Sequence, residues 1–252
     1  MRLDKFIGNN THNSRKDAHK LLKSGRVEVN GELAFAPDAA INNSQDIITL
    51  DGIRIEPVGK VYLMLHKPQG VVCANEDGQH PTVIDLLRNE KNFVGNKSKA
   101  LPFSDLQIAG RLDIDTTGLV LVTNDGKWNH RITAPASGCK KAYCVTLAEA
   151  LAPSTAEKFA AGVQLEGEKR KTRPAVLHHI TPKKVRLDLS EGKYHQVKRM
   201  FAAVGNHVTS LHRESVAGLT LDKTLTPGQF RYLTKEELEI VRVSVTHSSI
   251  PL

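Results

Sequence analysis

The 252-residue chain has little cysteine, few aromatics and no long apolar run. Its three cysteines, Cys73, Cys139 and Cys144, have no metal-ligand spacing, and the odd count excludes a closed disulfide framework. Met1–Lys5 lacks the apolar core of a secretory signal. Together these point to a reducing, cytoplasmic setting. Phe, Trp and Tyr make up 5% of residues, which argues against a broad stacking platform for single strands. No apolar stretch approaches a membrane span. Acids are outnumbered, 27 Asp plus Glu against 35 Lys plus Arg, for a net charge of +8 and a pI near 9.4. That balance favours a polyanionic partner, most simply nucleic acid. The eleven histidines are scattered. His178 and His179 are neighbours in an expected strand, so they point to opposite faces and do not share a metal.

The most informative stretch is Gly110–Gly126, G-R-L-D-I-D-T-T-G-L-V-L-V-T-N-D-G. Arg111 and Asp113 come first, then a polar turn over Asp115–Gly118, then the apolar run Leu119–Val122, closed by Asn124-Asp125-Gly126. A short apolar run between turn signals predicts a buried strand. Asp113 is then a loop carboxylate carried by a rigid element, where chemistry commonly sits. Three readings of it compete. Asp in a turn often bonds its own backbone. Asp113-x-Asp115-x-Thr117 resembles the signature of magnesium-dependent phosphatases with an aspartyl nucleophile, although there the apolar strand precedes the first Asp and here it follows. The spacing also imitates half a calcium loop, but Asn124 stands where a bidentate Glu is required.

Residues 1–58 form a candidate first domain. Leu3, Phe6 and Ile7 have helical spacing; Ser14 with Asp17 starts a second helix whose apolar face is Ala18, Leu21 and Leu22, and Gly25 stops it. Arg26–Asn30 and Asp46–Leu50 read as strands, with Asn30-Gly31 and Asp51-Gly52 as turns. Pro57–Lys60 reads as a linker. Beyond it come a strand at Val61–Leu65, the turn His66–Gly70, a helix from Thr82, a long loop over Asn89–Asp105 and a strand at Lys140–Val145. A helix follows at Ser154–Ala161, then a hairpin of Ala175–Ile180 with Lys184–Leu189. In Glu191–Phe201, residues Val197, Met200, Phe201 and Val204 make a buried helix stripe, with His195, Lys198 and Arg199 on the other side. His207–His212 and Gly218–Leu221 are further strands, and Thr234 with Glu237 makes a capping box for the last helix. Ser248–Leu252 read as an untethered end of the tail 244–252.

Three blocks in order, G-R-L-D with D-T-T-G-L-V-L-V-T-N-D-G, K-K-A-Y-C-V and E-G-K-Y-H-Q-V-K-R-M-F, resemble the motifs of pseudouridine synthases, in the branch that acts on small-subunit ribosomal RNA. The K-P-x-G at Lys67–Gly70 also recurs in that branch. Residues 1–58 resemble the S-four type RNA-binding domain, named after a ribosomal protein. The resemblance implies an α+β chain: that small RNA-binding domain, then a catalytic domain over 59–243 with a mixed, mostly antiparallel sheet. It implies isomerisation of one uridine of 16S ribosomal RNA to pseudouridine, without metal or organic cofactor. Asp113, Tyr143 and Lys198 are the implied catalytic residues, with Asp113 either attacking the sugar or assisting departure of the uracil. Arg111, Thr117 and Gln196 are expected to contact substrate. Arg2, Lys5, Arg15, Lys16, Lys20 and Lys23 are expected to form one basic face toward phosphates. The implied partner is 16S ribosomal RNA or a small-subunit assembly intermediate, bound by a monomer with no membrane association. A large-subunit enzyme of the same branch, a non-catalytic ribosomal RNA-binding protein and the phosphatase remain as alternatives.

Overall fold

A computed structural model describes residues 1–11, 13–95 and 101–246. The chain folds as two units. The first takes Met1–Val61 together with 101–107 and Thr123–Asp125; the second takes Tyr62–Gly95, Ile108–Val122 and 126–246.

In the first unit, α1 (Leu3–Asn10) and α2 (Arg15–Lys23) accompany a four-stranded sheet of order β2-β1-β3-β4. Its strands are β1 (Val27–Val29), β2 (Glu32–Leu33), β3 (Ile48–Leu50) and β4 (Ile53–Arg54). Ser14 accepts the Asp17 N–H and caps α2 as its spacing predicts. Gly25 ends that helix with φ +67°. Asn30-Gly31 joins β1 to β2 and Asp51-Gly52 joins β3 to β4, all four residues having positive φ. Such two-residue turns match the natural twist of paired strands. Leu3, Phe6, Ile7, Ala18 and Leu22 pack with Val27 and Ile48 as the core. The expected linker is pinned within this unit: Asn124 Oδ1 accepts the Val61 N–H at 2.8 Å, and Lys60 pairs with Asp125 at 2.8 Å.

The second unit holds the remaining strands: β5 (Tyr62–Lys67), β6 (Gln107–Ala109), β7 (Thr117–Thr123), β8 (Lys141–Leu147), β9 (Val176–Thr181), β10 (Lys184–Leu189), β11 (Val208–Val216), β12 (Leu219–Thr220) and β13 (Phe230–Tyr232). The main path of the sheet runs β13-β5-β7-β11-β8-β10-β9. β7 and β11 are parallel, while β13/β5, β11/β8, β8/β10, β10/β9 and β11/β12 are antiparallel. Leu119–Val122 are fully buried, because β7 is covered on both faces, and this explains their unbroken apolar run. Leu119 and Leu121 join the core shared with Trp128, Ile132, Val241 and Val245. The helices are α3 (Val83–Arg88), α4 (Gly126–Thr133), α5 (Thr155–Ala160), α6 (Gln196–Ala202) and α7 (Lys235–Thr246). Phe159 of α5 meets Phe201 of α6 edge to face at 5.1 Å.

Several expectations are corrected. Thr117 and Gly118 belong to β7, not to the turn before it. His66 and Lys67 continue β5. The 89–105 loop contains short 3-10 turns at Glu90–Asn92 and Phe103–Asp105, with 96–100 outside the described residues. Val204 lies beyond the end of α6 and is half-buried. Of the expected tail, 244–246 finish α7 and 247–252 fall outside the described residues. No helix among the described residues is long and apolar enough to cross a membrane.

Candidate active site

Asp113 sits in the loop between β6 and β7. Two buried cations fasten that loop. Lys67, fully buried, donates from Nζ to the carbonyls of Thr116 at 2.8 Å, Pro68 at 3.0 Å and Ile114 at 3.4 Å. Arg213, equally buried, donates to the carbonyls of Gly110 at 2.7 Å, Leu119 at 2.8 Å and Arg111 at 3.4 Å. Neither has a carboxylate partner in these bonds; main-chain oxygens stand in. Burial pushes the Lys67 ammonium below its ordinary value, opposed by Cys73, Asp115 and Asp113. β7 and β11 lie so close that a Cβ on Gly118 would fall 2.3 Å from the Arg213 carbonyl oxygen, and Gly118 has φ +110°. The loop is thus a rigid seat whose backbone carbonyls face inward on positive charge.

Above this seat, α6 brings Lys198. Its Nζ lies 3.3 Å from Asp113 Oδ2 and donates to Asp115 Oδ1 at 2.6 Å. Burial works against the Lys198 charge, yet the bond to Asp115 and the charge of Asp113 outweigh it and raise its pKa. For Asp115, burial likewise opposes ionisation, and the Lys198 bond overrides it to hold the carboxyl below its usual range. Lys198 thus sets an ammonium between the two carboxylates, and a nearby opposite charge favours their ionised forms. His195 Nε2 approaches Asp113 Oδ1 to 3.4 Å. Sequence reasoning left His195 on a common polar side with Lys198 and Arg199. Instead Lys198 turns to the Asp113 loop, while Arg199 turns to Glu168 at 3.2 Å.

The other expected residues are distributed unevenly. Tyr143 is 8% exposed in β8, opposite Arg213 in β11 and Leu187 in β10. Cross-strand partners share a face, so its ring stands on the side where Arg213 anchors the loop. Arg111 is exposed, and its carbonyl accepts from Arg213 at 3.4 Å. Thr117 is engaged with His212, Oγ1 to Nδ1 at 2.8 Å. Gln196 is a correction: it is 4% exposed, accepts the Lys193 N–H at 2.8 Å and donates to Glu191 at 2.7 Å. It ties the approach to α6 instead of presenting its amide to a ligand.

The first unit also departs from expectation. Arg2, Arg15 and His19 converge on fully buried Asp4, at 2.9, 3.0 and 2.9 Å. Burial opposes the Asp4 charge, but hydrogen bonds from Arg2, His19 and Arg15 hold its carboxyl far below the usual range. Lys5 pairs with Asp105 at 2.8 Å. Exposed Lys16, Lys20 and Lys23 follow helical spacing on α2, with Lys20 near Asp17 at 3.3 Å. The one basic face therefore divides into an ion-paired cluster that keeps a net positive charge and a lysine stripe beside it.

The K-P-x-G motif includes Lys67 without indicating its burial, and Arg213 was missed by sequence reasoning, although a signal for both exists. Each stands in the alternation of buried strand residues, Lys67 after Leu63 and Leu65, and Arg213 after Leu211.

A family model described as RNA pseudouridylate synthase matches residues 61–203. Over 241 residues the chain is 49% identical to the ribosomal small subunit pseudouridine synthase A of Escherichia coli (strain K12), spanning 96% of this chain and 100% of that relative. The protein of the same name from Vibrio cholerae is 47% identical over 238 residues, spanning 94% of this chain and 98% of the relative. A solved structure described as a pseudouridylate synthase matches with a TM-score of 0.66 and 41% identity, over 96% of this chain and 99% of the other.

Proposed function

The chain belongs to the RNA pseudouridylate synthase family, and on that premise we propose that it converts one uridine of 16S ribosomal RNA to pseudouridine, with Asp113 as the reacting carboxylate. The reaction is an isomerisation. The glycosidic carbon–nitrogen bond breaks, the uracil turns, and the ribose is rejoined to a ring carbon. A base in structured RNA must first leave its stack to reach the site.

The observation that carries the reading is the Lys198 bridge at 3.3 Å from Asp113 and 2.6 Å from Asp115. A carboxylate reacts, as nucleophile or as the group that assists uracil departure, only while ionised. Lys198 supplies the adjacent countercharge, and buried Lys67 and Arg213 hold the loop in place. Tyr143 is suited to stack on the displaced uracil, and exposed Arg111 to meet the RNA backbone or fill the place of the flipped nucleotide. The first unit, read as an S-four type domain, docks phosphates through Lys16, Lys20 and Lys23, with Arg2, Lys5 and Arg15 at its margin. Such contacts give affinity and position but little sequence information.

The test is to incubate the purified protein with naked 16S ribosomal RNA and, separately, with small-subunit assembly intermediates, and to map pseudouridine. One new pseudouridine at a single position, formed equally in a chelator, supports the reading. Modification of large-subunit RNA alone overturns it.

A further inference from the structure

The block Glu191–Phe201 supplies Lys198 and His195, yet its exposed aromatic residue has no part in the site described so far. Tyr194 is 73% exposed, and among Phe, Tyr and Trp side chains only Phe35 is also exposed. The Tyr194 ring lies flat on the His195 imidazole, centroids 3.8 Å apart and planes 21° apart. One ring face is covered and the other is open. His195 has φ +46° and ψ +35°, left-handed backbone that is unfavourable for a residue with a side chain. An exposed ring and a strained neighbour are two local departures in one dipeptide, and such departures gather at functional positions. The imidazole then reaches Asp113 at 3.4 Å. The platform is braced from behind: Arg199 donates to the Tyr194 carbonyl at 3.0 Å and is itself held by Glu168.

We propose that the open face of Tyr194 is a subsite for a nucleobase of the substrate RNA next to the target uridine in the strand. This rests on the RNA reading above and adds a second base to it. The base is taken to be a neighbour of the target uracil, because the open face of Tyr194 is the one turned away from His195, the residue that meets Asp113. The electrostatic setting suits a nucleic acid strand. Glu168, which holds Arg199, also anchors the loop carrying Lys169, Arg170 and Lys171. These three are exposed and form no ion pair among the described residues. Aromatic stacking together with nearby cations is how single strands are held, and stacking tolerates any base.

The experiment uses the full chain and RNA whose modified uridine has been mapped with the wild type. Tyr194→Phe keeps the ring and should retain affinity and kcat/KM within about twofold. Tyr194→Leu should lose about 5- to 150-fold in both, the range that stacking of one base supplies. RNAs made abasic at one flanking position at a time provide the second arm. At the stacked position the wild type should fall to the level of Tyr194→Leu, and the variant should fall no further. A merely structural role gives no such non-additivity at one nucleotide. Full activity of Tyr194→Leu on intact RNA overturns the inference. So does a Tyr194→Leu defect that persists undiminished on every abasic RNA, or a Tyr194→Phe defect as large as that of Tyr194→Leu. A wild type that makes no pseudouridine overturns the reading beneath it as well, and is recognised before any variant is tested.

Discussion

Replacing Lys198 by Met removes the only ammonium bridging Asp113 and Asp115 among the described residues. At 3.3 Å a unit charge pair is worth about 5 kcal/mol at an effective dielectric near 20, and about 1 kcal/mol in bulk water. The two side chains are 27% and 28% exposed, so the working value lies between these limits. A loss of about 2–3 kcal/mol corresponds to roughly 30- to 150-fold in rate. Asp115 would also lose the bond that holds its carboxyl below the usual range. Lys198→Arg keeps the charge and offers a fork toward both carboxylates, so it should stay within about tenfold of wild type. The assay is single-turnover isomerisation at saturating RNA across pH 5–9. Lys198→Met at wild-type rate throughout refutes the argument. An Arg199→Met defect larger than that of Lys198→Met would also refute it, since Arg199 is directed at Glu168.

Three other perturbations test the supports. Gly118→Ala places a Cβ 2.3 Å from the Arg213 carbonyl oxygen and should destabilise the protein by more than about 3 kcal/mol in urea melts; a change under about 1 kcal/mol contradicts the close approach of β7 and β11. Asp4 has a depressed folded-state pKa, so its stabilisation is present above the normal carboxylate range and is lost as pH falls below it; Asp4→Asn should cost about 2 kcal/mol at pH 7 and less at pH 3, and an equal loss at both contradicts the assignment. Lys16, Lys20 and Lys23 changed together to Ala leave Asp4 and its partners intact and should flatten the slope of log affinity against log salt by about 2–3; an unchanged slope means that this stripe does not contact phosphates.

Much of the framework was legible because its signals are local. Asn30-Gly31 and Asp51-Gly52 announce positive-φ turns, Ser14 and Thr234 announce caps, and the run at Leu119–Val122 announces a strand covered on both faces. α4 was not expected, since Gly126 reads as a turn and only Trp128 and Ile132 mark a buried side. β6 and β13 are three residues each, too short for a period. Asp113 and Lys198 were selected by motif, and their proximity became visible only when β6, β7 and α6 were in place. The burial of Lys67 and Arg213 was not legible because cations are ordinarily exposed, and what holds them is a set of carbonyls mostly distant in sequence. The basic face was only partly legible for a related reason: composition records the charges of Arg2 and Arg15 but not that both converge on buried Asp4, which offsets one of them.

Asp113→Asn tests the central claim most directly, because it removes the charge and keeps the shape of the side chain. Pseudouridine is mapped in 16S ribosomal RNA after prolonged incubation with stoichiometric variant, beside a binding titration of the same sample. The account predicts binding within about threefold of wild type and no pseudouridine. Pseudouridine at the wild-type position, formed by Asp113→Asn at a measurable rate, would contradict it.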